Sequence, residues 1–235
     1  MESLGFVIGR HISDASHTEL CFRAYTSIRA FYPDNRILIV DDGSKLPDEH
    51  AYDENTTVVD AAARGAGEFG LYATYHAARP FDRAVLMHDS MVLKRRLDLP
   101  EVPILYLWHF PFWESLDVYA SDIETFLGKL KNNDELSQTY ASRRWLGVFG
   151  CAATVTWDCL DRVQHHYRLF DLLPEVTTRQ KRCVMERVLG VVFAREMKHH
   201  RLSLNGDIGA SPGIGSRSVL LAERPGAMDK TWHGR

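Results

Sequence analysis

Two apolar runs in the first ninety residues stop abruptly at polar side chains that can do chemistry. Arg36–Val40 (R-I-L-I-V) runs into Asp41-Asp42-Gly43-Ser44, and Arg83–Met87 (R-A-V-L-M) into His88-Asp89-Ser90, after which the apolar pattern resumes at Met91. In open α/β sheets ligands bind beyond the carboxyl ends of the strands, so both stops lie where a site would form. The first is also an ordinary turn and helix-cap sequence. The second interrupts an apolar stretch and forces an imidazole and a carboxylate to the sheet edge, a pairing suited to a divalent cation such as Mn²⁺ or Mg²⁺. Gly65-Ala66-Gly67-Glu68-Phe69-Gly70 is a literal G-x-G-x-x-G, with Asp89 19 residues past its last glycine. A dinucleotide fingerprint belongs in the first strand-to-helix turn, whereas this one follows a third strand and carries Glu68 where a pyrophosphate would sit.

The elements that must position these residues are legible from periodicity. Gly5–Ile8 reads as a first buried strand. Ser16 and Glu19 form an S-x-x-E capping box ahead of Leu20, Ala24, Ile28 and Phe31 at helical spacing, stopped by Pro33. Residues 36–40 lack alternation, as expected of a strand covered on both faces. Thr56–Val59 is a third strand, Phe69–Ala78 a helix and Arg83–Met87 the next strand. The order β-α-β-(β)-α-β predicts a parallel sheet with helices on both faces and right-handed crossovers. Further on, Ile104–Phe112 reads as a strand entering an aromatic loop, Leu116–Leu130 as an amphipathic helix and Gly147–Thr156 as a strand. Trp157–Leu172 and Arg179–Lys198 read as helices, Arg201–Asn205 as a last strand, and 206–235 as irregular. The expected organisation is one domain: 1–95 a regular first half, 96–210 an elaborated second half, and 211–235 a tail.

Composition narrows the partners. The 235 residues are 45% hydrophobic and 25% charged, with 28 basic against 31 acidic side chains, and the longest basic cluster is Lys94-Arg95-Arg96. That balance points away from nucleic acid and anionic membranes as partners. The four cysteines lack C-x-x-C spacing and read as reduced core thiols. No leader pattern or long apolar stretch is visible, so a cytoplasmic location is expected.

Taken together, I-L-I-V-D-D-G-S, then R-G-A-G-E-F-G-L-Y, then A-V-L-M-H-D-S resemble in order and spacing a glycosyltransferase of the GT-A fold over about the first 95 residues. The resemblance implies an α/β fold that is GT-A-like (Rossmann-like), with a mostly parallel central sheet flanked by helices and an elaborated C-terminal acceptor-side half. It implies a nucleotide-sugar donor, UDP-linked, whose uracil and ribose meet Asp41 and Asp42 and whose nucleotide is held by Arg64 and Gly67. The strand-end motif, His88 and Asp89, would hold a divalent metal that neutralises the diphosphate. His88 and Ser90 stand where the family has acids, which leaves metal dependence open. His199-His200 offers a late imidazole ligand, His200, or a pair of surface histidines.

The same resemblance implies a glycan acceptor and, in an inverting enzyme, a carboxylate that deprotonates its hydroxyl. Trp145-Leu146-Gly147-Val148-Phe149-Gly150 reads as the acceptor segment, with Trp145 and Gly147 in it. Glu186 is the first choice for the base and Asp158 the second; Glu186 could equally be a helix carboxylate paired with Arg182 at i−4. The aromatic run from Trp108 to Trp113, with Glu114, would supply rings that stack on sugar faces. Competing readings are an NAD-dependent oxidoreductase, a sugar-phosphate nucleotidylyltransferase, and a non-catalytic glycan-binding or scaffold protein. Oligomeric state is not encoded in these patterns.

Overall fold

The computed structural model of the protein describes residues 2–197, 203–210, 214–216 and 226–232. Its first half comprises β1 (Leu4–Arg10), α1 (Ala15–Phe31), β2 (Ile37–Asp41), β3 (Thr56–Asp60), α2 (Glu68–Ala78) and β4 (Arg83–His88). Helix α1 starts at Ala15, so Ser16 lies inside its first turn and not at the cap expected for it. The second half comprises β5 (Met91–Leu93), β6 (Ile104–Tyr106), β7 (His109–Pro111), α3 (Leu116–Lys129), α4 (Asn133–Ala141), β8 (Leu146–Val148), β9 (Ala153–Thr156), α5 (Trp157–Tyr167), α6 (Arg179–Glu196), β10 (Ile214–Ser216) and β11 (Met228–Trp232).

The central sheet has the order β3-β2-β1-β4-β9-β6. Its first four strands are parallel, while β9 runs antiparallel to both β4 and β6. This is a mixed α/β fold with a mostly parallel central sheet flanked by helices. The chain leaves β1 for β2 and β3 on one side, then returns to place β4 on the other. In open α/β sheets such a reversal is where ligands bind, and here it falls at the carboxyl ends of β1 and β4, where Gly9 is in register with His88 and, on the β2 side, Arg10 with Asp41.

The pleat decides which way each strand residue points. Phe6, Ile8, Ile37, Ile39, Val85 and Met87 share one buried cluster with Cys21, Ala24 and Ile28 of α1. Val7, Leu38, Val40, Ala84 and Leu86 share the other with residues of α2, α5 and α6. Each fully buried Val, Leu, Ile or Phe contributes about 1.5–3 kcal/mol, which is why both sheet faces must be covered.

Several expected elements are reshaped by packing. The run 104–112 divides into β6, in the central sheet, and β7, which pairs with β8 in a separate ribbon. The strand expected over 147–156 breaks into β8 and β9 because Gly150 and Cys151 take left-handed conformations, φ 59° and 51°. The helix expected over 157–172 stops at Tyr167, where Arg168 is left-handed and a 3-10 turn, Leu169–Glu175, follows. Helix α4 is an addition. The tail read as irregular contains β11, which pairs antiparallel with β5. Of the strand expected at 201–205, Ser203 makes a single parallel bridge to Tyr106, and the first two positions lie outside the described residues. Cys21, Cys151 and Cys159 are buried thiols and Cys183 is partly exposed. Among the described residues no helix is long and apolar enough to cross a membrane.

Candidate active site

Two groups of polar side chains lie at the sheet edge, joined by the glycine loop. On the β2 side a cleft of about 470 Å³ is lined by Arg10, Asp41, Ser44, Asp48, Asp60 and Arg64, with Leu46 and Val58 among its apolar lining residues. Asp41 is fastened inside the protein: one oxygen accepts Arg10 Nε at 2.8 Å and Nη2 at 2.7 Å, the other accepts the Ser44 amide at 2.7 Å. Burial works against its charge, but the Ser44 bonds and Arg10 outweigh it and hold its pKa below the usual value. Arg10 also donates to Asp48 at 2.7 Å, so two carboxylates fix one guanidinium at the cleft wall.

Asp42 points the other way. Its oxygens accept the amides of Gly65 at 2.6 Å and Gly67 at 3.0 Å, tying the end of β2 to the start of α2. These amides are therefore satisfied within the protein, and the G-x-G-x-x-G segment is a clamped turn in place of a phosphate cradle. Asp42 is a positioning residue here, where donor contact was expected of it. Gly67 takes φ 56°, and a Cβ there would lie 2.3 Å from Arg182 Cδ, so α6 rests directly on the loop. Arg182 Nη1 donates to the Gly65 carbonyl at 3.4 Å and leaves Glu186, one turn on, with other partners. Arg64 is largely exposed, with its guanidinium 3.6 Å from Asp60 at the cleft rim.

The second group is built around Gly150. His88 continues the parity of Ala84 and Leu86 and points toward α2 and α6. Its Nε2–H donates to the Gly150 carbonyl at 2.6 Å, which leaves Nδ1 to accept from Lys230 Nζ at 2.9 Å. The Gly150 N–H donates to Glu186 Oε1 at 2.9 Å. One residue thus fastens an imidazole from β4 to a carboxylate from α6. A Cβ on Gly150 would lie 2.7 Å from His88 Cε1 and Nε2, and its φ of 59° is a conformation L side chains rarely take, so glycine is required on both counts. Glu68, the first residue of α2, brings Oε1 to 3.5 Å from His88 Nδ1.

Burial lowers the His88 pKa to about 4, with Lys230 second, so the ring is neutral and its tautomer follows from its partners. Burial raises Glu186 to about 7 against the pull of Arg187 and the Gly150 amide. A carboxyl group near neutrality can take or give a proton at physiological pH. Its side chain is 18% exposed, so a ligand can reach it. Glycine also lets α6 come close: a Cβ on Gly190 would lie 2.2 Å from the Leu146 carbonyl, which brings this helix, and Glu186 on it, down onto β8.

The acceptor-side expectations divide sharply. Arg187 donates through Nη2 to the Glu114 carbonyl at 2.9 Å and lies over the rings of Phe110 and Tyr119, docking the loop after β7 beside Glu186. Within that loop the Glu114 side chain is exposed and Trp113 is 64% exposed. Trp108 and Trp145 are core residues, 0% and 1% exposed, with Trp145 Nε1 donating to the Tyr140 carbonyl. Wholly buried rings have no face for a sugar, so packing replaces the stacking expected of them. Gly147 is a packing residue too, since a Cβ there would meet the Phe110 ring at 2.0 Å. Asp158 sits at the start of α5 beside Arg79, where Trp157 donates its amide to the Asp82 carbonyl ahead of β4. That is the opposite end of the strand from His88, and the structure does not bring Asp158 to Glu186.

The residues expected to hold a metal do not converge. Asp89 follows His88 in the pleat and lies on the α1 side, where burial and then Asp89 push the Cys21 thiol up to about 12. His88 spends Nε2 on Gly150 and Nδ1 on an ammonium group. His200 lies outside the described residues. Among the described residues no three His, Cys, Asp or Glu side chains form a group that could hold a metal ion.

Lys230 and Gly150 escaped sequence reading. Lys230 lies in a stretch read as tail, and nothing local links it to His88 142 residues away. Gly150 was in view as the end of the acceptor segment, but a left-handed pair inside an apolar run leaves no signal in periodicity.

No protein-family model matches the chain, and no curated protein matches it in sequence. Among solved structures it is similar to the galactosyltransferase LgtC in complex with donor and acceptor sugar analogues. There the TM-score is 0.49 at 11% identity, over 98% of this chain and 87% of that one. It is also similar to an active-site mutant of LgtC, at TM-score 0.48 and 11% identity over 97% and 86% of the two chains.

Proposed function

We propose that the protein transfers a sugar from a nucleotide-sugar donor, a UDP-sugar on the I-L-I-V-D-D-G-S resemblance, to a glycan hydroxyl with inversion at the sugar carbon. The observation that carries this reading is the Gly150 residue, whose carbonyl accepts from His88 and whose amide donates to Glu186 at the sheet edge. It puts a carboxyl group near neutrality beside the place where a strand-end ligand site is expected.

In this reading the nucleoside lies in the cleft between Asp41 and Arg64, with its base against Leu46 and Val58 and its ribose toward the Arg10–Asp41 pair. The diphosphate lies toward His88 and Lys230. The acceptor enters over Glu186, with Trp113 offering a ring face and Glu114 a hydrogen-bond acceptor. Glu186 takes the proton of the acceptor hydroxyl as the new carbon–oxygen bond forms and the bond to the diphosphate breaks. A positioned base of this kind is worth 10²–10⁴ in rate. No step is assigned to a divalent cation, because the expected ligands point to opposite sheet faces and His88 already has two partners. The oxidoreductase reading loses its footing with the Gly65 and Gly67 amides bound by Asp42.

The test is a thermal-shift titration with UDP, GDP, CDP and NAD, followed by turnover of the matching nucleotide-sugar by wild type and Glu186→Gln. Stabilisation by one nucleoside diphosphate and loss of turnover in the variant support the reading. Stabilisation by NAD alone overturns it, and silence from every ligand favours the non-catalytic alternative.

A further inference from the structure

Resting on the transferase reading, we infer that Lys230 supplies in this chain the positive charge that a divalent metal would bring to the donor's diphosphate, so that donor binding is metal-independent. The placement carries the argument. Strand β11 pairs with β5 so that Lys230 stands opposite Met91, just past the His88-Asp89-Ser90 stop. Its ammonium lies 2.9 Å from His88 Nδ1 and 5.5 Å from the centre of the Phe149 ring, next to Gly150. A metal ligated by His88 through Nδ1 would have to occupy the space this ammonium holds. The Nε2 side is closed by the Gly150 carbonyl at 2.6 Å.

The surroundings suit a fixed cation. Glu68 Oε1 lies 3.5 Å from His88 Nδ1, Lys230 and Arg182 both act electrostatically on Glu68, and Lys230 acts on Glu186 as well. The imidazole Nδ1 accepts from the ammonium and holds it at the end of β4. Arg182, resting on Gly67 from α6, adds a second cation that acts on Glu68. A diphosphate entering between them meets charge-assisted donors that are already oriented, which is what a metal would otherwise provide.

The experiment is calorimetric titration of the full chain with UDP, in EDTA and in Mn²⁺, with uridine as the phosphate-free probe. Wild type should bind UDP equally well in both buffers. Lys230→Met should weaken UDP about 10- to 100-fold, the range of a lost charged hydrogen bond, and leave uridine unchanged, while Lys230→Arg should recover most of the loss. UDP binding that needs Mn²⁺ in wild type overturns the inference and leaves the transferase reading standing. So does Lys230→Met binding UDP as wild type does. Failure of UDP, GDP and CDP alike, with and without metal, overturns both. The wild-type arms need no variant to fold.

Discussion

Replacing Glu186 by glutamine should make the protein more stable at and above neutral pH while abolishing its activity. The amide keeps an oxygen for the Gly150 N–H, now 2.9 Å from Oε1, and keeps the volume. What it removes is the cost of holding a charge in a site that raises the carboxyl group from 4.5 to about 7. At 1.36 kcal/mol per pH unit that rise amounts to about 3 kcal/mol. The sign follows from proton linkage. Below pH 4.5 the group is protonated whether folded or unfolded and contributes nothing. As pH climbs toward 7 the unfolded chain ionises first, so wild type loses stability progressively, and above 7 the loss is complete. The variant has no such loss. Urea unfolding followed by circular dichroism across this range should therefore show the variant's advantage growing from near zero to about 3 kcal/mol, a figure that already includes the attraction to Arg187, 3.6 Å away. Taking the difference between the two proteins cancels every titrating group that does not interact with Glu186. A difference that stays flat with pH would refute the reasoning and remove the basis for a base near neutrality.

Gly150→Ala should cost about 1–2 kcal/mol from its left-handed backbone alone, plus whatever the His88 ring must yield, and should depress turnover; a wild-type urea midpoint would count against the shared-residue geometry. Asp42→Ala orphans the Gly65 and Gly67 amides at a cost of about 1–3 kcal/mol each, visible as faster hydrogen exchange at those two positions, while unchanged exchange would mean that the clamp is not formed. Asp158→Ala should leave turnover at the wild-type level because the side chain lies at the far end of β4; a large loss would return it to the list of possible bases. Trp113→Ala should raise KM for the acceptor and leave UDP binding as it is, whereas Trp145→Ala should destabilise the fold by about 3–5 kcal/mol, as seen in thermal unfolding.

What the sequence determined by itself is the framework and the places where it stops. The apolar runs at 36–40 and 83–87 are long enough to span a sheet and uniform enough to demand cover on both faces. Their polar ends therefore had to emerge at an edge, and Asp41, Asp42, His88 and Asp89 do so. These are local properties, set within a few residues by strand length and the two-residue pleat. Glu186 was singled out from sequence, but its partner was not. Arg182 at i−4 was the local alternative, and it turned instead to Gly65.

What only the tertiary structure decided is which of these groups meet. Asp41 and Asp42 differ by one residue, yet one faces Arg10 and the cleft while the other clamps the glycine loop. The same alternation sends His88 toward α6 and Asp89 toward α1, which divides a motif that reads as a single metal site in one dimension. Trp108 and Trp145 look like sugar platforms in a list of aromatics and turn out to be core, because Trp108 packs into the cluster on the α1 face of the sheet and Trp145 into the one that holds α6. Lys230 reaches His88 only through the pairing of β11 with β5, and Gly150 joins His88 to Glu186 only because β8 and β9 break at a left-handed pair. Each of these outcomes depends on contacts between residues tens to more than a hundred positions apart. Periodicity constrains a residue's face, whereas strand order and helix docking choose what that face meets.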